Sequence, residues 1–574
     1  MKAKTQLLKR RGYYSVNKEY DVFQLEIIKN SLLFIGDEMF ETLAKTSMSP
    51  IIYEVLDYAC GITDNKGNLL TQGNGVAGFI GMLSFMVKDT IKKYKNNNEL
   101  KDGDIIIIND PYTGGGSHLS DVGLVMPIFH KNELIAFAAN KAHWTEVGGK
   151  DPGSFSNDAT EVYQEGIQFP CIKIVEEGKI NHSLVNLIEA NVRMPELSIG
   201  DLWAQIATLK TGANRVKDLC LKNGEKALKQ SMSRLLNQGE LQAKNRLREL
   251  SNGIYKMHDY IDDDGLGNGP FKVQVKVEIK EDELICDFRG SHSQVKGPVN
   301  CSYTALVTSV RIIYLSILNL GDIVNDGVFR PLKVISEQGS ILSAEKPAPT
   351  SIYWESDAFG AELVWKALAP SMIDRLNAGH FLSVCSVTLE GVNPHTDEPF
   401  LIVEPSVGGW GAGKDIDGAR GQFCIGDGET YNIPIEVAEN RYGIMIEEYT
   451  LRNDGAGAGK HIGGTGVIRS YKALSDNQNV SITFGRSKYL PWGLDGGEDG
   501  SPNEFYVIKA NGEKKGPLSM CARHPLNKGD VIQLLTGTGG GYGPPQERDK
   551  NKLKQDIKNG YIPLDRAKEL YDFN

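Results

Sequence analysis

The sequence has few cysteines and no long apolar run, and both absences exclude classes of protein. Eight cysteines are spread over 574 residues, and no two of them form a CxxC pair. Neither a zinc ribbon nor a thioredoxin-type redox motif is therefore expected. No run reaches the roughly 18 apolar residues of a membrane helix. No apolar stretch follows the basic N-terminal residues as it would in a secretory signal. We therefore expect a protein of the reducing cytoplasm, with no membrane partner.

The sequence also lacks an excess of basic residues. Its formal net charge is -10 and its pI is about 5.6. A nucleic-acid-binding protein needs a basic face to neutralise phosphates, so no nucleic-acid partner is expected. The 63 glycines follow no fixed period, which excludes collagen-like and solenoid folds. A chain of this length exceeds a single hydrophobic core, so two or more domains are expected.

Periodicity predicts a multidomain α+β fold with mixed or antiparallel sheets, helical segments and a strand-rich C-terminal part. The four predicted domains are a metal-binding α+β domain at 1–255, a mixed α/β domain at 256–380, a strand-rich, glycine-rich domain at 381–545 and a helical tail at 546–574. The predicted helices are 18–48, 77–95, a helical region at 186–252, and 303–319. The predicted strands are those within 51–72, then 104–109, 122–129 and 133–142, and the alternating segment around 273–279.

Two histidines and one aspartate form the first candidate site. His118 and Asp121 follow the predicted strand 104–109, and His143 ends the strand 133–142. If these strands pair, two imidazoles and one carboxylate converge, a donor set that suits Zn, Mn or Fe. Three protein ligands also leave positions open for catalysis. The alternative is a histidine at a strand end that is only a satisfied surface residue.

Other candidate residues have structural alternatives. Asp110 precedes a proline and is typical of a turn cap, and Glu146 can be a solvated loop carboxylate. Glu165 lies four residues after Glu161, so the two carboxylates can share a helix face that binds a cation or lines a pocket, or that is merely solvated. The glycine clusters at 408–413 and 536–543 suit phosphate binding, although turns are the more frequent use of such clusters.

Several collinear motifs carry a resemblance to a known family. The first is Asn109-Asp-Pro-Tyr-Thr-Gly-Gly-Gly-Ser-His-Leu-Ser-Asp121, and the second is Lys141-Ala-His-Trp-Thr-Glu-Val-Gly-Gly149. Further matching segments cover nearly the whole chain: 163–167, 191–196, 297–301, 325–332, 439–442, 491–497 and 536–543. The chain thus resembles the hydantoinase B/oxoprolinase family, which includes hydantoinase B subunits, the caprolactamase small subunit and the large subunits of acetone and acetophenone carboxylases.

The resemblance implies a particular ligand set. In metal-containing relatives, the ion is held by residues that correspond to His118, Asp121 and His143, together with an upstream aspartate that corresponds to Asp57. The implied ion is zinc, with manganese and iron as alternatives. One position departs from the family pattern, because Phe79 stands where many relatives have a histidine. This departure puts the substrate in question.

The resemblance also implies an activity and a partner. The chain would be the B-type subunit of a hetero-oligomer that hydrolyses a small cyclic amide such as a hydantoin, 5-oxoproline or another lactam. A separate hydantoinase A-like subunit with an actin fold would bind ATP and phosphorylate the amide. The residues themselves, rather than the resemblance, make Asp110 and Glu146 candidates for the general base and Gly115, Gly116 and Glu165 candidates for substrate binding. The alternatives are a subunit of an ATP-dependent ketone carboxylase and a scaffold subunit without chemistry.

Overall fold

The computed structural model describes residues 21–73, 75–94, 99–320, 324–428 and 430–573. The helices in these ranges are α1 (Val22–Thr46), α2 (Pro50–Tyr53), α3 (Met82–Tyr94), α4 (His182–Asn191), α5 (Pro195–Asn223), α6 (Glu225–Leu247), α7 (Tyr303–Leu318), α8 (Asp326–Phe329), α9 (Trp354–Leu368), α10 (Ile435–Arg441), α11 (Lys550–Lys558) and α12 (Leu564–Leu570). The N-terminal strands are β1 (Tyr58–Asp64), β2 (Leu69–Gln72), β3 (Ile105–Ile108), β4 (Asp121–His130), β5 (Glu133–His143), β6 (Ile172–Glu176) and β7 (Lys179–Ile180). The later strands are β8 (Gly253–Ile261), β9 (Phe271–Lys280), β10 (Glu283–Asp287), β11 (Leu332–Ile335), β12 (Ser386–Val392), β13 (Pro399–Glu404), β14 (Ile444–Leu451), β15 (Val467–Ala473), β16 (Gln478–Thr483), β17 (Glu504–Ile508), β18 (Lys514–Leu518), β19 (Met520–Leu526) and β20 (Val531–Leu535).

A seven-stranded antiparallel sheet dominates the N-terminal part, in the order β2-β1-β5-β4-β3-β6-β7. The four isoleucines of β3 are all buried, as a strand covered on both faces requires. α5 packs on β4 and β5, α1 packs on β1 and α5, and α3 packs on β1, β4 and β5. α1 presents Ile28, Leu32, Ile35, Met39 and Leu43 to the core at helical spacing.

The middle of the chain forms a four-stranded sheet in the order β11-β10-β9-β8, in which only the β10–β11 pair is parallel among the described strands. The alternation predicted around 273–279 is present in β9, where Val273, Val275, Val277 and Ile279 are buried. α9 packs against β8, β9 and α7. The predicted α+β class with largely antiparallel sheets is confirmed.

Two antiparallel sheets form the C-terminal part, in the orders β13-β12-β16-β19 and β14-β15-β20-β17-β18. The loops between them use glycine for close backbone packing. A Cβ atom on Gly539 would lie 2.0 Å from the carbonyl oxygen of Trp410, and one on Gly540 equally close to that of Trp492. The amide groups of Gly539 and Gly540 already donate to backbone carbonyls. These glycines therefore pack main chain against main chain, and do not present free amides to a phosphate.

The helical tail is also present. Leu553, Ile562, Ala567 and Tyr571 pack on Ala458 and Ile462, in a small apolar cluster apart from the main core. Arg548 ties the tail to the preceding loops, because its guanidinium donates to Asp417 and Asp556. The domain boundaries near residues 255, 380 and 545 stay predictions.

Three local predictions differ from the structure. Residues 50–53 form the short helix α2 rather than the start of a strand, since Ser49 and Pro50 occupy N-cap and first-turn positions that favour a helix. The predicted helical region 186–252 is divided into three helices, and Gly224 breaks it with a φ of +85°. α9 was not predicted at all. Residues 18–20 and 95 of two predicted helices lie outside the described residues.

In the described ranges, no helix combines the length and the apolar character that crossing a bilayer requires.

Candidate metal centre

The three predicted donors converge because of strand pairing in the N-terminal sheet. His118 lies in the loop between β3 and β4, Asp121 begins β4, and His143 ends β5. β4 and β5 are antiparallel neighbours, and their register places Asp121 directly opposite His143. His118 reaches the same point from a turn three residues earlier. All three side chains are buried, with at most 3% of their surface exposed.

The spacing of the donor atoms fits a bound cation. His118 Nε2 lies 3.1 Å from Asp121 Oδ1, His143 Nδ1 lies 3.2 Å from the same oxygen, and the two ring nitrogens are 3.1 Å apart. Ligand bonds of roughly 2.0–2.2 Å give donor separations of about 3.0–3.4 Å around one ion. Among the described His, Cys, Asp and Glu side chains, these three form the group whose ligand atoms can share one ion.

The hydrogen bonds of the two histidines support the same conclusion. His118 Nδ1 donates to the backbone carbonyl of Ser351 over 3.0 Å, which leaves the lone pair of Nε2 free for an ion. His143 Nε2 is buried, and no described group bonds to it. A buried polar atom without a partner costs roughly 1–3 kcal/mol. Nε2 is not the ring nitrogen that faces Asp121 and His118, so this cost does not depend on the ion.

The second oxygen of Asp121 has its own set of donors. Ser117 Oγ donates a short hydrogen bond to Oδ2, the Tyr353 hydroxyl donates over 3.5 Å, and Lys141 Nζ lies 3.9 Å away. Burial alone would raise the pKa of Asp121, but His118 and Lys141 hold the pKa well below its usual value. A carboxyl group whose pKa is lowered in this way is suited to hold a cation.

Lys141 connects the centre to the unusual Phe79. Its ammonium group donates to Ser117 Oγ over 2.8 Å and to the Gly115 carbonyl over 3.1 Å, and it lies 5.2 Å from the centre of the Phe79 ring. Burial lowers the pKa of Lys141 to about 8. Phe79 also lines the cavity next to the donors. Phe79 thus presents an aromatic face to a buried cation.

Two contrasting sets of ionisable side chains line the cavity. We call His118, Asp121 and His143 the donor wall, and Asp57, Asp357 and Asp427 the carboxyl wall; all six side chains line the cavity. Burial raises the pKa of each carboxyl on the carboxyl wall to about 7. Ser309 Oγ donates to Asp357 over 2.8 Å, and Cys424 Sγ lies 3.4 Å from Asp427. Phe79, Phe155, Tyr353 and Trp354 cover much of the remaining surface.

Asp57 lies at the cavity but outside the three-residue donor group. Its backbone carbonyl accepts from the amide of His143, which places its side chain near the centre. Burial raises the pKa of Asp57, and the negative charges of Asp121 and Asp427 raise it further. The role of Asp57 as a fourth ligand stays a prediction.

The other predicted site residues do not line the cavity. Asp110 accepts from the Tyr112 amide and the Thr113 hydroxyl within its own turn. Glu146 is buried against Arg193, whose amide and guanidinium both donate to it. The structure does not bring either carboxylate to the donors, and their role as general base stays a prediction without support from this geometry.

Gly115, Gly116 and Glu165 also lie behind the cavity surface. Gly115 accepts from Lys141, and Gly116 lies so close to the backbone of Asp110 that a Cβ atom would come within 2.0 Å of its carbonyl oxygen. Glu165 accepts from the amides of Thr350 and Ser351. Their role in substrate binding stays a prediction as well.

Sequence reasoning missed the residues that come from the second half of the chain. Tyr353, Trp354 and Asp357 stand at the start of α9, and Asp427 lies in a loop between two glycines. The run of aromatic and acidic residues from 353 to 357 was the available signal. Nothing in the spacing connects it with a loop more than 200 residues earlier.

Comparison with known proteins identifies the family. The sequence model described as hydantoinase B/oxoprolinase matches residues 21–545. The chain belongs to the hydantoinase B/oxoprolinase family. Within that family it is 38% identical over 554 residues to an uncharacterised protein of Methanocaldococcus jannaschii, with 96% of each chain covered. It is also 30% identical to a Pseudomonas sp. (strain NS671) protein that is provisionally named as the B-type subunit of a D-/L-hydantoinase, with 96% of this chain and 94% of the other covered.

Solved structures share the fold of this family member. The crystal structure of the ATP-dependent caprolactamase from Pseudomonas jessenii matches with a TM-score of 0.88 at 26% identity, covering 96% of both chains. The nucleotide-free structure of an ATP-dependent acetone carboxylase matches with a TM-score of 0.90 at 19% identity, covering 99% of this chain and 82% of the other. The second likeness concerns the fold alone.

Proposed function

We propose that the chain is the B-type subunit of an ATP-dependent complex that hydrolyses a small cyclic amide, with a divalent ion held by His118, Asp121 and His143. The observation that carries this proposal is the convergence of three buried donors in one cavity, with His118 Nε2 left free by its bond to Ser351. Family membership and the likeness to an ATP-dependent caprolactamase support the reaction class.

The donor set limits the ion to a borderline divalent metal. Two imidazoles and one carboxylate suit zinc, and manganese or iron remain alternatives. Asp57 is the proposed fourth ligand. When bound, such an ion would supply Lewis-acid polarisation of a substrate oxygen.

The reaction explains why ATP is needed. Amide resonance makes the ring carbonyl a poor electrophile, and transfer of the γ-phosphoryl group of ATP to the amide oxygen would activate it. Ring opening then consumes one water for the amide and one for the phosphoryl group, breaks the C–N bond, and releases ADP and phosphate. An ATPase subunit with an actin fold is the proposed partner for the phosphorylation, and the complex would be a hetero-oligomer.

The chain's own residues would handle the protons. A group with a pKa near the working pH is best placed to accept and return a proton. Asp357 and Asp427 line the cavity with pKa values raised to about 7 by burial. We therefore propose Asp357 or Asp427, rather than Asp110 or Glu146, as the acceptor of the proton that the attacking water loses. The aromatic side chains that line the cavity would exclude bulk water from the bound cyclic amide.

Reconstitution with the ATPase subunit tests this function. The complex should open hydantoin, 5-oxoproline or a larger lactam only with ATP, with one ADP formed for each ring opened. Elemental analysis of protein purified without chelator should give about one zinc, manganese or iron ion per chain. Absolute dependence on bicarbonate with a β-keto acid product from a ketone would instead establish a carboxylase.

A further inference from the structure

Glu165 is a buried carboxyl group behind the donor wall, with no place in the mechanism above. Its side chain is 1% exposed and lies outside the cavity lining. Oε1 accepts from two consecutive backbone amides, those of Thr350 and Ser351, each over 2.7 Å. Oε2 lies 3.4 Å from the Thr350 hydroxyl. One side chain from the N-terminal part thus holds a segment from the middle of the chain.

That segment, residues 350–353, contacts two of the three donors. The Ser351 carbonyl accepts from His118 Nδ1 over 3.0 Å, and the Tyr353 hydroxyl donates to Asp121 Oδ2 over 3.5 Å. The first bond selects the tautomer of His118 that carries its lone pair on Nε2. The position of the segment therefore decides both the orientation of the His118 ring and which of its nitrogens can bind an ion.

Other bonds hold the same segment, but among the bonds of the described residues only those to Glu165 engage the amides of both Thr350 and Ser351. The Ser351 hydroxyl donates to the Ser154 carbonyl over 3.1 Å and accepts from the Ser156 amide over 2.9 Å. These bonds fix the side chain of Ser351. The Ser351 carbonyl lies in the peptide plane that ends at the Ile352 amide, and this amide donates to the Pro298 carbonyl over 3.1 Å. The two preceding planes, which end at the amides of Thr350 and Ser351, are held by Glu165. Loss of Glu165 would also leave both amides buried without an acceptor.

We propose that Glu165 is a positioning residue for the metal centre, which acts through the 350–351 backbone on His118. This inference rests on the proposed function, since it concerns the same ion. It predicts that the charge of Glu165 is dispensable and that its acceptor atom is not. Burial raises the pKa of Glu165 to about 8, so the neutral form is already accessible near neutral pH.

The test compares Glu165→Ala with Glu165→Gln on the full-length protein. A glutamine keeps the oxygen that receives both amides, and its NH₂ group can donate to the Thr350 hydroxyl. Loss of an outer partner of a ligating histidine typically lowers metal affinity 10–100-fold. We expect this loss of Zn²⁺ affinity in Glu165→Ala, measured by competition with a chelating dye, and affinity within about threefold of the original protein in Glu165→Gln.

A matched control separates positioning from general destabilisation. Asp262 is also a buried carboxylate, and its Oδ2 accepts from the consecutive amides of Ser487 and Lys488. These residues contact no donor of the metal centre. Asp262→Ala should therefore lower the melting temperature, as Glu165→Ala does, and leave the Zn²⁺ affinity unchanged.

A second comparison locates the effect on His118. In a His118→Ala background, Glu165→Ala should cause no further loss of the residual Zn²⁺ affinity. Hydrogen exchange at the amides of 350 and 351 should be faster in Glu165→Ala whether or not Zn²⁺ is present. Equal Zn²⁺ affinity of Glu165→Ala and the original protein would overturn the inference. Failure of the original protein to bind Zn²⁺, Mn²⁺ or Fe²⁺ would instead contradict the proposed function.

Discussion

The donor wall and the carboxyl wall of the cavity use acidic side chains in opposite ways. Asp121 is buried among two histidines, Lys141 and two hydroxyl groups, and its pKa is held well below the usual value. Asp357 is equally buried, but its described hydrogen-bond partner is a serine hydroxyl, and its pKa rises to about 7. Burial is therefore common to both walls, and the neighbouring charges decide whether a carboxyl group holds a cation or a proton.

Removal of a donor should give the largest effect and tests the donor wall directly. His143→Ala and His118→Ala each leave only two members of the donor wall, so the bound ion should fall from about one per chain to near zero. Ring opening by the reconstituted complex should then not exceed that of the partner subunit alone. Elemental analysis and product formation measure the two effects. If a variant kept both the ion and turnover, the replaced residue would not be a metal ligand.

Replacement of Asp357 tests the carboxyl wall through the pH dependence of stability. The folded-state pKa of about 7 lies above the ordinary value of 3.8, so the stability due to this group is complete below about pH 4 and lost as the pH rises through 7. Asp357→Asn removes this loss. The decrease in the free energy of unfolding between pH 4 and 8 should be about 2–4 kcal/mol smaller in the variant than in the original protein, since one pKa unit corresponds to roughly 1.4 kcal/mol.

Urea denaturation of chelator-treated protein measures this difference at each pH. Asp218→Asn, at an exposed position of α5, is the control and should follow the pH dependence of the original protein. Equal slopes for Asp357→Asn and the original protein would show that Asp357 is ionised in the folded state. The contrast between the two walls would then be wrong for this residue.

Phe79→Leu should have a smaller effect, confined to the contact with Lys141. Loss of the ring removes a cation–π contact and some buried surface, a cost of about 1–3 kcal/mol in unfolding free energy. The ion content should not change, because Phe79 is no ligand. Phe169→Leu, which removes a buried aromatic ring outside the cavity lining, is the matched control. A change in substrate preference in Phe79→Leu but not in Phe169→Leu would show that Phe79 selects the substrate.

Asp110→Asn should have the smallest effect of the series. An asparagine oxygen can still accept from the Tyr112 amide, so stability should stay within about 0.5 kcal/mol and turnover within about threefold. Steady-state kinetics of the reconstituted complex measures this. A loss of turnover with the ion still bound would indicate that Asp110 is the general base and that the carboxyl wall does not accept the proton.

The parts of the site that the sequence predicted are those fixed by local spacing. His118 and Asp121 share one turn, and His143 meets them because two neighbouring strands pair in register. The predicted strands 122–129 and 133–142 are the neighbours β4 and β5, which pair in the antiparallel direction. These features depend on residues less than 30 positions apart, which periodicity and turn chemistry can relate.

The parts that the sequence did not predict depend on packing between distant segments. Asp357 and Asp427 become proton-binding groups only because the fold buries them, and Glu165 meets Ser351 across more than 180 residues. α9 was missed although its sequence permits a helix, since almost all of its residues are buried and no polar face marks its period. The pairing of Glu146 with Arg193 was not predicted for a similar reason, because Arg193 lies 47 residues further along the chain.

The segment that fixes His118 also sets the order in which the centre can mature during synthesis. All three donors have been synthesised when the chain has passed His143, but Ser351 and Tyr353 follow only about 200 residues later. At roughly 5–20 residues per second, this interval lasts about 10–40 s. A nascent chain would therefore hold an ion weakly and exchangeably during that time. The metal that the cell supplies when the middle segment docks would be the one that the finished protein keeps.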